Sequence, residues 1–153
     1  MIALIQRVTH AKVEVDGREV GTIGPGLLAL IAVRQDDDVN SAARLLERVL
    51  SYRVFSDAQG KMNRSLQDTA GGLLLVPQFT LAADTRSGTR AGFSTAAEPG
   101  VARQLFAHFL ARAQTRHAPV AAGQFGANMQ VSLVNDGPVT FWLESATGTA
   151  SQT

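Results

Sequence analysis

Gln78, Phe79 and Thr80 place an amide, a ring and a hydroxyl in a row, just after the apolar run Leu73 to Val76. Where a buried strand surfaces in this way, successive backbone N–H groups can stabilise the oxyanion of an acyl-transfer reaction. Thr80 is a candidate nucleophile, but a hydroxyl needs an activating base. Taken alone, it reads as a β-branched strand residue. A second stretch, Asn135-Asp136-Gly137-Pro138-Val139-Thr140, lies between runs that read as strands, Met129 to Val134 and Val139 to Leu143. Asp136-Gly137 suits a hairpin turn. Gly137 tolerates backbone angles closed to other residues, and Pro138 offers no N–H to a ladder. A Gly–Pro bond takes the cis form far more often than other dipeptides. A cis bond here would aim two carbonyl oxygens in nearly the same direction. The plain alternative is an ordinary tight turn, since Gly and Pro dominate turns.

Other chemistries find less support. His10, His108 and His117 are the only three histidines, none at metal-ligand spacing from another and none beside a nucleophile motif. Paired carboxylates would suit glycoside chemistry, but nothing pairs Asp84, Glu98 and Asp136. There is no Walker loop, dinucleotide fingerprint or nucleophile elbow. With 0 cysteines there is no disulfide, thiolate nucleophile or thiolate metal site. No metal and no cofactor is expected. The net charge of +1 argues against coating a long phosphate backbone, so contact with nucleic acid would span a few nucleotides.

The elements that must position these residues are legible from periodicity. The chain has 153 residues, 45% hydrophobic and 18% charged, as expected of one soluble domain with a sizeable core. No apolar run is long enough for a membrane span. The apolar start Met1 to Ile5 is too short for a signal peptide, so it reads as a strand and the protein as cytoplasmic. Ile2 to Val8 and Ala11 to Val15 read as strands, the second turning at Asp16-Gly17 into Arg18 to Ile23. Leu27 to Val33 and Leu73 to Val76 read as central strands. Asp36-Asp37-Asp38 suits the start of a helix, whose apolar positions Ala42, Leu45, Leu46, Val49 and Leu50 recur at helical spacing. Tyr52 to Phe55 is expected to be a short strand. The polar stretch Ala82 to Glu98 is longer than most loops of compact domains, which marks it as functional or mobile. Pro99 opens a second helix, with Val101, Leu105, Phe106, Phe109 and Leu110 as its buried stripe. The fold class is α/β: a single domain over 1–145, mixed curved β-sheet layers covered by two main helices, and a flexible tail over 146–153.

Gln78-Phe79-Thr80-Leu81 and Asn135 to Thr140, taken together, resemble the motifs of the D-aminoacyl-tRNA deacylase family. The likeness extends through Met1 to Val8, Arg48 to Lys61 with Phe55-Ser56-Asp57, Leu81 to Thr85, and Met129 to Leu143. It implies a homodimeric hydrolase acting at the aminoacyl-tRNA acceptor end. The bond cut joins a D-amino acid, or glycine, to the terminal adenosine. It further implies that Gly137 and Pro138 are cis-linked and reach into the partner's active site. There their carbonyls would hold the substrate's α-amino group. An L side chain would meet this backbone wall, a D side chain would point away, and glycine has none to reject. By the same resemblance Arg7 holds the Gly–Pro loop, Gln78 and Phe79 line the scissile ester, and Phe125 and Met129 form the adenosine pocket, where stacking is the physical reason. Water would attack with help from the RNA 2′-hydroxyl, which agrees with the lack of a base for Thr80.

The chain departs from the family where Pro77 stands in place of the usual Ser, which excludes any serine side-chain role. A related animal deacylase also has proline there but departs from Phe at the position of Phe79, which this chain keeps. Two rival readings fit the same residues. One is a dimeric module that captures a small amine or nucleotide end without cleaving it. The other is an esterase that uses Thr80 as its nucleophile.

Overall fold

The protein is described by a computed structural model over residues 1–146. The tail expected over 146–153 lies outside the described residues, except for Ala146. Strand β1 runs unbroken over Ile2–Val15 and organises the sheet. It was expected as two strands, but Thr9 and His10 continue the extended backbone between them. Along one edge, β1 pairs antiparallel with β3 (Gly26–Ala32) and then with β2 (Arg18–Ile23). Parallel pairing then adds β6 (Gly72–Pro77) to β3, and β7 (Val120–Ala122) to β6. The sheet is mixed, as expected, and curls until β2 approaches β7. A Cβ on Gly21 would sit 2.7 Å from the Ala122 carbonyl oxygen, so the near-closure requires glycine there.

Alternation along the central strands sorts their side chains onto two buried faces. Leu27, Ala29 and Ile31 on β3, with Leu73 and Leu75 on β6, face the helices. Leu28, Leu74 and Val76 face the concave side with Val8, Ala11 and Val13. Burial on both sides explains why these strands are continuous apolar runs rather than alternating ones.

Helix α1 (Val39–Ser51) buries the five expected apolar positions. The Asp triplet divides its tasks. Asp38 is the N-cap and exchanges hydrogen bonds with Ser41, while Asp37 is buried and accepts from the Met1 amine at 2.5 Å. Tyr52 closes α1 as its C-cap. The short strand expected over 52–55 is shifted to β4 (Phe55–Ser56), paired with β5 (Met62–Arg64). A short helix α2 (Leu66–Thr69) leads into β6. Helix α3 (Pro99–Arg116) starts at proline as expected, but its stripe is Ala102, Leu105, Phe106, Phe109 and Ala113. Val101 is 48% exposed, contrary to expectation. Leu105, Phe106 and Phe109 keep the expected phase, and at the start of the helix Ala102 faces the core in place of Val101.

The C-terminal stretch departs most from expectation. Residues 129–134 and 139–143 are not the arms of a hairpin. All but Met129 belong to one long strand, β8 (Gln130–Glu144), and both halves pair antiparallel with β1. Gln130 to Val134 oppose Glu14 to His10, and Thr140 to Glu144 oppose Gln6 to Ile2. Between them the register passes from Val8↔Asn135 to Gln6↔Thr140. Five steps on β8 thus face two on β1, so the extra residues leave the sheet as a wide bulge. The Asp136-Gly137 signature is real turn chemistry, but β1 is long enough to pair both flanks, so the chain resumes its direction instead of reversing.

Candidate active site

Strand β6 delivers Pro77 to the end of the sheet in register with Ile31. The Gln78 N–H still reaches the Ile31 carbonyl at 2.7 Å, and the chain then tightens into a 3₁₀ turn over Phe79–Ala82. Leu81 is the first residue of that turn to donate its N–H, to the Gln78 carbonyl. The N–H groups of Phe79 and Thr80 precede it and have no partner among the described residues. The Gln78 side-chain amide donates to the Thr80 hydroxyl at 2.5 Å. Phe79 is 60% exposed, a large exposure for an aromatic ring, and lies 5.3 Å from the ring of Phe93. The polar stretch that carries Phe93 is tied down at several points: Thr95 donates to the Ala82 carbonyl, Gln35 to Thr95, and Ala97 to Val33.

A cavity of about 450 Å³ opens beside this turn. That volume suits a small ligand such as a nucleoside. Pro77, Gln78 and Phe79 form one wall, and Phe125, Gly126, Ala127 and Met129 face them. Ala97, Pro99 and Ala102, where the polar stretch meets α3, close a third side. Phe125 is anchored from behind by Phe106, with ring centroids 6.3 Å apart. Of the sequence-derived site residues, Gln78, Phe79, Phe125 and Met129 therefore meet around one space, with Thr80 beside it. Among the described residues, no Asp, Glu, His, Lys or Arg lines that space. Asp84 is engaged elsewhere: two hydrogen bonds from the Arg86 guanidinium, with help from the Arg86 N–H, hold its carboxyl down to about 2. His117 bonds the Gly71 carbonyl.

Arg7, Gly137 and Pro138 form a separate cluster and do not line the cavity. On β3, Arg7 pairs with Leu27 and Pro77 with Ile31. That offset of four residues is about 13 Å of strand. Arg7 donates through Nε to the Asp136 carbonyl at 3.1 Å and through Nη1 to the Val54 carbonyl at 2.8 Å. The Gly137–Pro138 bond is cis. Gly137 has φ +134°, and a Cβ there would lie 2.7 Å from Val139 Cγ2 and 2.8 Å from the Val139 nitrogen. Only glycine fits this position without displacing the strand. Residues 136–138 are exposed.

Sequence reasoning gave Asn135 no role of its own. Its Nδ2 donates to the carbonyls of Arg7 at 2.9 Å and Val139 at 3.0 Å, and its Oδ1 accepts from the Thr140 hydroxyl. The amide thus pins both sides of the bulge where the ladder is interrupted. Asn within a turn motif was the available signal, because its short amide bonds neighbouring backbone, but both acceptors depend on the register with β1.

A family model described as D-Tyr-tRNA(Tyr) deacylase matches residues 4–144. A D-aminoacyl-tRNA deacylase of Thioalkalivibrio sulfidiphilus is 67% identical over 144 residues, 94% of this chain and 97% of the relative. The D-aminoacyl-tRNA deacylase of Janthinobacterium sp. is 63% identical over 144 residues, with the same coverage of 94% and 97%. Among solved structures, a c-Myc DNA Unwinding Element Binding Protein superposes with TM-score 0.91 at 35% identity, covering 96% of this chain and 100% of that one. A probable eukaryotic D-amino acid tRNA deacylase shares the fold, with TM-score 0.78 at 18% identity over 94% of this chain and 98% of that one. The class so defined is that of hydrolases acting on the aminoacyl-tRNA ester bond. Within it, the chain belongs to the D-Tyr-tRNA(Tyr) deacylase family.

Proposed function

We propose that the protein hydrolyses the ester between a D-amino acid and the terminal adenosine of tRNA, as chiral proofreading in translation, and accepts glycine esters too. One observation carries the reading. The apolar cavity beside two free N–H groups contains no ionisable side chain, in a chain 67% identical to a named deacylase. A site of this kind suits a reaction in which the substrate supplies the proton transfers and the protein supplies position and backbone dipoles.

In this reading the adenine stacks against Phe125 and Met129 and the ester lies along Gln78 and Phe79. The oxygen of a water molecule bonds to the carbonyl carbon. The 2′-hydroxyl of the RNA relays the proton, and the carbonyl oxygen gathers charge opposite the N–H groups of Phe79 and Thr80. When the ester C–O bond breaks, the 3′-oxygen takes the proton, leaving a free amino acid and tRNA with its 3′-hydroxyl restored. Thr80 orients Gln78 and does not attack.

The cavity as one chain forms it has nothing to test chirality. We assign that task to Gly137 and Pro138 of a second copy, in a homodimer. Two observations support this. The tip of the bulge is exposed and away from its own chain's cavity, and the β8 surface beside it shows Val134 and Trp142 to solvent. Arg7 and Asn135 would then hold the tip as a rigid wall. The test is deacylation of matched D- and L-tyrosyl-tRNA by catalytic amounts of protein without added metal. Loss of the D ester alone is expected. Loss of both would sink the wall, and loss of neither would leave a binding module.

A further inference from the structure

Arg103 follows Ala102, a wall residue of the cavity, on the first turns of α3. Its guanidinium carbon lies 4.8 Å from the centroid of the Phe125 ring. Its Nη2 comes within 3.3 Å of the space a Cβ on Gly126 would fill. Phe125 and Gly126 both line the cavity, so the guanidinium neighbours two of its wall residues without lining it itself. The ion pairs of the described residues engage the Met1 amine, Arg7, Lys12, Arg34, Arg86 and Arg116, and Arg103 has no carboxylate partner among them. A long, flexible cation is thus held on an aromatic face rather than by an acid. Stacking uses the flat face of a guanidinium and leaves its N–H edge free, the edge that matches phosphate oxygens.

The cavity separates neutral from charged chemistry. Its walls carry no ionisable group, which suits the nucleoside, whereas the phosphate on that nucleoside's 5′ side must stay outside near water. We propose that Arg103 binds this phosphodiester, the link between the terminal nucleotide and the one before it, when the base is seated against Phe125. The inference rests on the deacylase reading and adds to it a positioning residue that grips the RNA chain rather than the amino acid. It explains how a protein with net charge +1 can hold a polyanion's end: one cation sits at the point where the chain leaves the pocket.

The experiment compares two probes, adenosine and its 5′-methylphosphate, which carries the single charge of a phosphodiester. Binding of each is measured by calorimetry at low salt, to the full chain and to Arg103→Gln. The wild type should bind the methylphosphate about tenfold more tightly, in keeping with one charge-assisted hydrogen-bonded contact. The ratio should fall to about one in Arg103→Gln. A merely structural role for Arg103 in propping Phe125 would weaken both probes together and leave their ratio unchanged. A ratio near one in the wild type, an unchanged ratio in the variant, or no binding of either probe overturns the proposal. Deacylation of D-tyrosyl-tRNA by the same wild-type sample is scored separately. If it fails while the ratio behaves as expected, the deacylase reading falls and the phosphate contact stands.

Discussion

The cleft around Phe79 and the bulge around Gly137 are built by opposite means. The cleft is a product of packing: β6 ends, α3 begins, and Phe106 backs Phe125 against the main core. Its shape follows from buried apolar area, and its polar equipment is reduced to backbone N–H groups. The bulge has almost no packing of its own. Residues 136–138 stand in solvent, held by the Arg7 guanidinium and the Asn135 amide. A packed cleft can tolerate variation in the ligand's outer parts, since apolar contact is not directional. A hydrogen-bonded backbone tip has one shape, and that suits the rejecting role proposed for it. Lesions in the cleft should therefore lower turnover of every substrate alike, and lesions in the bulge should change the ratio of D to L turnover.

The largest effect is expected from Gly137→Ala. The φ of +134° and contacts of 2.7 and 2.8 Å leave no room for a methyl group, and strain of about 1–3 kcal/mol would reshape the tip. D-tyrosyl-tRNA turnover should fall about 100-fold, since a displacement near 1 Å costs that much, and the D/L ratio should collapse. If activity and chirality both survive, the wall does not exist. Phe79→Ala comes next, with a loss of about 30-fold from a missing contact of about 2 kcal/mol. The D/L ratio and the melting temperature should hold, because the ring is mostly exposed. A changed ratio would erase the division between cleft and bulge.

Asn135→Asp keeps the shape but replaces two donors with a carboxylate facing two carbonyls. About tenfold loss of D turnover is expected, in line with about 1–3 kcal/mol for unpaired groups, together with measurable L cleavage. Equal loss on both substrates would make Asn135 a general support. Thr80→Ala should cost no more than about threefold in kcat, far less than removal of a nucleophile. Complete loss with folding intact would restore the threonine esterase. The smallest effect concerns acid. Asp84 is depressed to about 2 by Arg86, so its contribution to stability is present above its unfolded value of 3.8 and is lost as pH falls through about 2. Unfolding curves of wild type and Asp84→Asn should converge across that window and keep a constant gap above pH 5. Convergence already at neutral pH would show that the pair does nothing.

Local signals and long-range ones differed in legibility. The Asp16-Gly17 hairpin, the buried strands at Leu27 and Leu73, and the start of α3 at Pro99 were readable because each depends on residues within a turn or a period. The β8 bulge was not. Asp136-Gly137 carries the same turn signature as Asp16-Gly17, but Pro138 follows it and β1 is available on both flanks, so the chain resumes its direction there and reverses at Asp16-Gly17. The motif residues of the cleft were legible through family resemblance, and their meeting around one cavity needed the fold. Arg103 was invisible for a related reason. On a helical wheel it is one more wet-side arginine, and its significance comes from Phe125, which arrives from another part of the chain.

In the proposed dimer a cleft from one chain and a bulge from another make one site. That arrangement can be tested with doubly tagged heterodimers, co-expressed from a chain carrying Phe79→Ala and a chain carrying Gly137→Ala. Each such dimer would contain one site with both parts intact. D-tyrosyl-tRNA turnover should therefore recover to about half that of the wild-type dimer, with L ester spared, although either parent is nearly inactive. Recovery no greater than the parents', or failure to isolate a doubly tagged species at all, would contradict the shared site.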